Sequence, residues 1–122
     1  MRYLGIDYGQ KRIGLALSDP EGRLAFPHAT VSGLGEVLEV IRQAGVAAVV
    51  VGLPVPLGGG ESAQSRAVRA FADRLGAAVQ LPIALSSEAL TTNIAEQHTA
   101  RNKADAAAAA LILQSYLDQK NP

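Results

Sequence analysis

A chain of 122 residues with eleven Lys and Arg, eleven Asp and Glu and a formal net charge of zero has no global basic field, so any grip on nucleic acid must come from local patches. Hydrophobic residues make up 48%, enough for one packed core but in a chain too short for two, so a single domain over 1–122 is expected. The absence of Cys excludes disulfides and thiolate metal sites, no apolar stretch reaches the roughly 18 residues of a membrane span, and Asp7 falls too early for a signal-peptide core; a soluble cytoplasmic protein is expected.

Three short apolar runs come first, Tyr3 to Asp7, Arg12 to Ser18 and Leu24 to Val31. Tyr8-Gly9-Gln10 and Asp19-Pro20-Glu21-Gly22 separate them, and both are turn chemistry, so the spacing predicts an antiparallel meander. Leu34, Val37, Leu38 and Ile41 then recur at helical spacing, with Gly45 just past the end. Ala47 to Val51 is a continuous apolar run ending at Gly52, which predicts a strand buried on both faces. Leu53 to Gly60 holds two prolines and three glycines and is expected to be a loop. Ser62 to Leu75 reads as a helix, with Ala63, Ala67, Phe71 and Leu75 on one face and Gly76 as its stop. Val79 to Leu85 predicts another strand, Ser87 an N-cap for a helix to about His98, and Ala104 to about Gln119 a final alanine-rich helix. The pattern is α/β: three hairpin strands, then right-handed crossovers to two parallel ones.

Three carboxylates, Asp7, Glu88 and Asp105, each stand where one predicted element gives way to the next. A parallel-type sheet gathers its strand ends along one rim, so acids distant in sequence can converge there. Without thiols and with little imidazole, such a cluster is a hard oxygen site suited to Mg2+ or Mn2+ against phosphate. Each acid also has a local reading: Asp7-Tyr8-Gly9 as a tight turn, Glu88 and Asp105 as first-turn acids favoured by helix dipoles. Lys11, Arg12, Arg101 and Lys103 flank the acids in sequence and are candidate phosphate contacts, as is the Thr91 hydroxyl. Arg66 and Arg69 read as solvated surface, with Asp73 one turn on, and Glu61 as an acid favouring the start of its helix. Gly58-Gly59-Gly60 is not a nucleotide P-loop, because no Lys-Ser or Lys-Thr follows.

Four blocks carry a resemblance. They are Leu4-Gly5-Ile6-Asp7-Tyr8-Gly9 with Arg12-Ile13-Gly14-Leu15-Ala16; Val50-Val51-Gly52-Leu53-Pro54 with Gly59 and Glu61; Glu88-Ala89-Leu90-Thr91-Thr92; and Lys103-Ala104-Asp105-Ala106 running into Ile112-Leu113-Gln114-Ser115-Tyr116. In this order, over the whole chain, they resemble the YqgF (RuvX) family of Holliday junction resolvase and pre-16S rRNA nuclease relatives. The resemblance implies a ribonuclease H-like fold: a five-stranded mixed sheet, three antiparallel strands plus two parallel, flanked by helices. It also implies a divalent-metal-dependent nuclease whose catalytic and metal-holding acids fall on Asp7, Glu88 and Asp105. The substrate would be branched DNA or structured rRNA precursor. Junction resolution, with its two cuts, would call for a homodimer, whereas RNA end-trimming needs one site. The third block departs from the family's usual Asp-Glu-Arg-Leu-Thr-Thr, having Ser87 and Ala89 in place of the Asp and the Arg. That departure motivates an alternative, a nucleic-acid-binding protein of the same fold with weakened catalysis. Gly5-Ile6-Asp7-Tyr8-Gly9 also resembles the first phosphate motif of sugar kinases and actin-like ATPases, whose nucleotide lies between two domains; 122 residues allow one.

Overall fold

A mixed sheet in the spatial order β3-β2-β1-β4-β5 organises the computed structural model, which describes residues 1–55, 58, 60–89 and 104–122, positions 88 and 89 by backbone alone. Strands β1 (Tyr3–Tyr8), β2 (Ile13–Ser18) and β3 (Ala25–Val31) form the expected antiparallel meander. At the turn after β2, Asp19 Oδ1 accepts the Arg23 and Leu24 amides at 2.8 and 3.1 Å. Those two bonds, Arg23's first, hold its carboxyl below the usual aspartate range. Pro27 lies in the edge strand β3 beside a bulge, where a missing amide breaks no inner ladder.

Helix α1 (Leu34–Ala44) ends as its sequence predicts, with Gly45 in the left-handed region at φ 65° and its amide on the Ile41 carbonyl. It buries Val37 and Ile41. Gly35, in its first turn, has nothing within 4 Å of where a Cβ would stand. Gly35→Ala is therefore expected to stabilise the fold by about 0.4–1 kcal/mol through the unfolded chain, measured by denaturant titration.

Two boundaries differ from the pattern. Strand β4 (Ala48–Val55) runs four residues beyond the expected end, through Gly52, Leu53 and Pro54. The β1–β4 ladder stops at Ile6↔Val51, so past that point β4 is paired only with β5, and a proline there leaves no donor unmatched on the β1 side. Helix α2 (Ala63–Ala78) is capped by Ser62, whose hydroxyl accepts the Ser65 amide, and it passes through Gly76 in ordinary helical conformation. Val79, expected to begin a strand, closes this helix through its bond to the Leu75 carbonyl.

Strand β5 (Ile83–Ala89) accordingly starts later and includes Ser86, Ser87 and Glu88. Ser87 is not a helix cap. Its backbone belongs to a parallel ladder with β4, opposite Leu53, and that pairing overrides the local N-cap signal. The rest of the helix expected to reach His98 lies outside the described residues. Helix α3 (Ala106–Lys120) closes the fold one residue past its expected end.

Helices α1 and α2 cover one sheet face, where Leu4, Ile6, Val49, Val51, Phe71 and Leu75 form the larger core cluster. Helix α3 covers the other face, with Ala109, Ile112, Leu113 and Leu117 against Tyr3, Ala16 and Val50. This helix lies unusually close to the sheet: a Cβ at Gly5 would stand 2.6 Å from Leu113 Cβ and 3.0 Å from the Ala109 carbonyl oxygen. Among the described residues no helix is long and apolar enough to cross a membrane.

Candidate active site

Side chains alternate along β1, so Tyr3, Gly5 and Asp7 share the face that α3 covers. Asp7 is the penultimate residue of the strand, at its carboxyl end, and is only 8% exposed. Burying a carboxylate is costly unless donors or cations meet it. One donor is backbone: the Asp105 amide points at Asp7 Oδ2 at 3.3 Å. Asp105 is the N-cap of α3, and its own Oδ1 accepts the Ala108 amide at 2.8 Å. Residues 98 positions apart in sequence thus meet at one strand end.

The feature that permits this meeting is Gly14. It stands opposite Asp7 in the β1–β2 register. A Cβ at Gly14 would lie 2.0 Å from the Asp105 carbonyl oxygen and 2.2 Å from its carbon, so the Asp105 backbone occupies the space a side chain would take. In the sequence, Gly14 stands out only as part of the Arg12-Ile13-Gly14-Leu15-Ala16 motif. Its signal is a glycine inside an otherwise apolar strand, which often marks a close approach of another backbone.

Glu88 was expected in the first turn of a helix; its backbone is instead in β5, opposite Pro54. Strands β1, β4 and β5 are parallel, so position 88 and Asp7 lie at the same end of the sheet, two strands apart. The β4–β5 row Gly52↔Ser86 is on the α3 face, because a Cβ at Gly52 would meet Ile112 at 2.6 Å. Two residues further, the alternation puts position 88 on that same face. The Glu88 side chain lies outside the described residues, and among the described ones no group of three acids or histidines is assembled for a metal.

Lys11 and Arg12 are exposed on the β1–β2 hairpin and line a shallow depression of about 460 Å3 with Thr30, Ser32 and Glu36. The Ser32 hydroxyl and amide hold the Glu36 carboxyl below its ordinary range. Thr91, Arg101 and Lys103 lie outside the described residues. Arg69 is exposed, as its sequence reading has it, and its guanidinium pairs with Glu61 at 2.6 Å. Glu61 thereby has a partner eight residues along the chain as well as a place just before the Ser62 cap.

The family model described as "RuvX: Holliday junction resolvase" matches residues 1–119. The chain belongs to the RuvX family. This RuvX chain is 40% identical over 136 aligned residues to a protein of Anaeromyxobacter sp. (strain Fw109-5), covering 99% of each. It is 41% identical over 133 residues to one of Syntrophus aciditrophicus (strain SB), covering 97% of this chain and 89% of that one. Both relatives are provisionally named pre-16S rRNA nucleases. Among solved structures it resembles Thermus thermophilus RuvC in complex with a Holliday junction substrate, with TM-score 0.61, 17% identity and coverage of 99% and 96% of the two chains. A second Thermus thermophilus RuvC structure gives TM-score 0.54 at 18% identity. The shared architecture is the ribonuclease H-like fold.

Proposed function

We propose that this RuvX protein is a divalent-metal-dependent endonuclease that hydrolyses phosphodiester bonds in structured nucleic acid. Its substrate would be pre-16S rRNA at the 5′ end or a Holliday junction. The observation that supports this most is the approach of Asp105 to the buried Asp7 carboxylate at the carboxyl end of β1. The names of the relatives and the RuvC-like fold support it from outside the chain.

Asp7 and Asp105 offer only hard carboxylate oxygens, and the chain has no thiol, so the donor set suits Mg2+ or Mn2+. Asp7, Asp105 and Glu88 would hold the cation. When bound it would lower the pKa of a coordinated water and offset charge on the leaving oxygen. Asp7 is fixed by a buried central strand, and Asp105 by its cap bond to Ala108; rigid supports of this kind suit a site that must hold its geometry. Lys11 and Arg12, exposed on the adjoining hairpin, would neutralise phosphates flanking the cut.

The second reading is a nucleic-acid-binding protein of the same fold with weakened catalysis. It is motivated by Ser87 and Ala89, which bracket Glu88 where the family pattern has Asp and Arg. One assay separates the two. Wild-type protein is incubated with end-labelled four-way DNA and with precursor rRNA, in Mg2+, in Mn2+ and in chelator. Product that appears with either cation and vanishes with chelator is the expected result. Tight binding with no product under any condition would favour the second reading.

A further inference from the structure

Beside the proposed catalytic acids, a separate recess of about 360 Å3 opens where β4 and β5 end, lined by Pro54, Val55, Glu61, Ser65, Arg69 and Ser87. It lies on the α2 side of the sheet, and Ser87 directly precedes Glu88 in β5. The recess is tied to the catalytic strand, because Gln64 Nε2 in the first turn of α2 donates to the Tyr8 carbonyl at 3.2 Å, one residue past Asp7. Ser65 is buried, bonded within the Ser62 cap, and serves as wall. Among the described side chains of the lining, those able to meet an incoming anion are the Arg69 guanidinium and the exposed Ser87 hydroxyl.

Arg69 is engaged by the Glu61 carboxylate at 2.6 Å, and the two side chains are 53% and 43% exposed. A half-exposed pair gains little from its attraction in water and is exchangeable. A phosphodiester carries the same sign as Glu61 and suits the planar guanidinium fork. We infer that Arg69, with Ser87 beside it, clamps a backbone phosphate of the nucleic-acid strand crossing the ends of β4 and β5, and that Glu61 is the internal competitor the substrate displaces. The inference rests on the nuclease reading and deepens it by naming a positioning residue for the substrate backbone. Arg66, exposed on the same helix one turn earlier, carries the same charge but does not line the recess. It is the natural control.

The test measures binding of the full chain to a labelled four-way DNA and to a single-stranded rRNA-precursor oligonucleotide across a range of KCl concentrations, alongside cleavage kinetics in Mn2+. Removing one phosphate contact lowers the log–log salt slope by about 0.9 on duplex arms and about 0.7 on a single strand. Arg69→Gln is expected to show that drop, with about five-fold weaker duplex binding at 0.15 M salt and about 13-fold at 0.05 M. KM should rise in parallel while kcat holds. Loss confined to one probe identifies whether DNA or RNA supplies the phosphate. Arg66→Gln should keep the wild-type slope. Glu61→Gln should tighten binding about two-fold or more, and only while Arg69 is present. An unchanged slope in Arg69→Gln, or an equal loss in Arg66→Gln, overturns the clamp while leaving the nuclease reading intact. A wild-type protein that neither binds nor cuts either probe ends both.

Discussion

Asp7→Asn is expected to reduce cleavage by roughly a thousandfold or more, beyond the 10–100-fold typical of groups that merely support a metal ligand. Asn keeps the shape of the side chain and an oxygen that can accept the Asp105 amide, so the meeting of β1 and α3 should survive. What it removes is the negative charge, at a position only 8% exposed where water cannot substitute for it. Single-turnover cleavage of the labelled junction and the rRNA precursor, in Mn2+ and in Mg2+, reads the effect. A thermal melt checks that the fold is retained. Turnover within ten-fold of wild type would take Asp7 out of the reaction.

Gly14→Ala should be the most damaging small substitution, although it adds one methyl group and no charge. The new Cβ would stand 2.0 Å from the Asp105 carbonyl oxygen and 2.8 Å from its Cα, and these are backbone atoms that cannot rotate aside. Either β2 or the start of α3 must shift. Overpacking of this kind costs about 1–3 kcal/mol or more. For a chain of this size the upper figure lowers Tm by on the order of 10 °C. Since the displaced residue is Asp105, activity should fall even at temperatures where Gly14→Ala remains folded. A melt paired with cleavage well below Tm separates the two losses. Wild-type stability together with wild-type cleavage would mean that α3 does not seat against Gly14.

Much of this arrangement is legible in the sequence because local and tertiary signals agree there. The Tyr8-Gly9-Gln10 and Asp19-Pro20-Glu21-Gly22 breaks mark real turns, and Gly45 ends α1 in the left-handed conformation that glycine favours. The meander and the order of crossovers follow directly. Signals mislead where pairing outweighs local chemistry. Pro54 looks like a loop residue but sits where β4 has lost its β1 neighbour. Ser87 looks like a cap but is claimed by a ladder, and Gly76 looks like a stop but lies in a helix that remains bonded to Val79. In the candidate site, Asp7 and Asp105 both read as element-end acids, and the Asp105 amide reaches the Asp7 carboxylate. Glu88 reads as a first-turn helix acid, but its backbone lies in β5, at a strand end on the same rim. The pairing of Arg69 with Glu61 is not legible, because its partners stand eight residues apart, beyond the i,i+4 neighbours that periodicity reveals.

The dual engagement of Asp105 bears on how variants at that position should be interpreted. Its carboxylate anchors the first turn of α3 while its amide reaches the neighbouring strand, so truncation to alanine confounds lost chemistry with a frayed helix. Removing such an anchor costs about 0.5–2 kcal/mol, whereas Asn and Ser remain good helix starters. Only replacements of that second kind can report on the carboxylate's charge by itself, and an inactive alanine variant would be uninformative about mechanism.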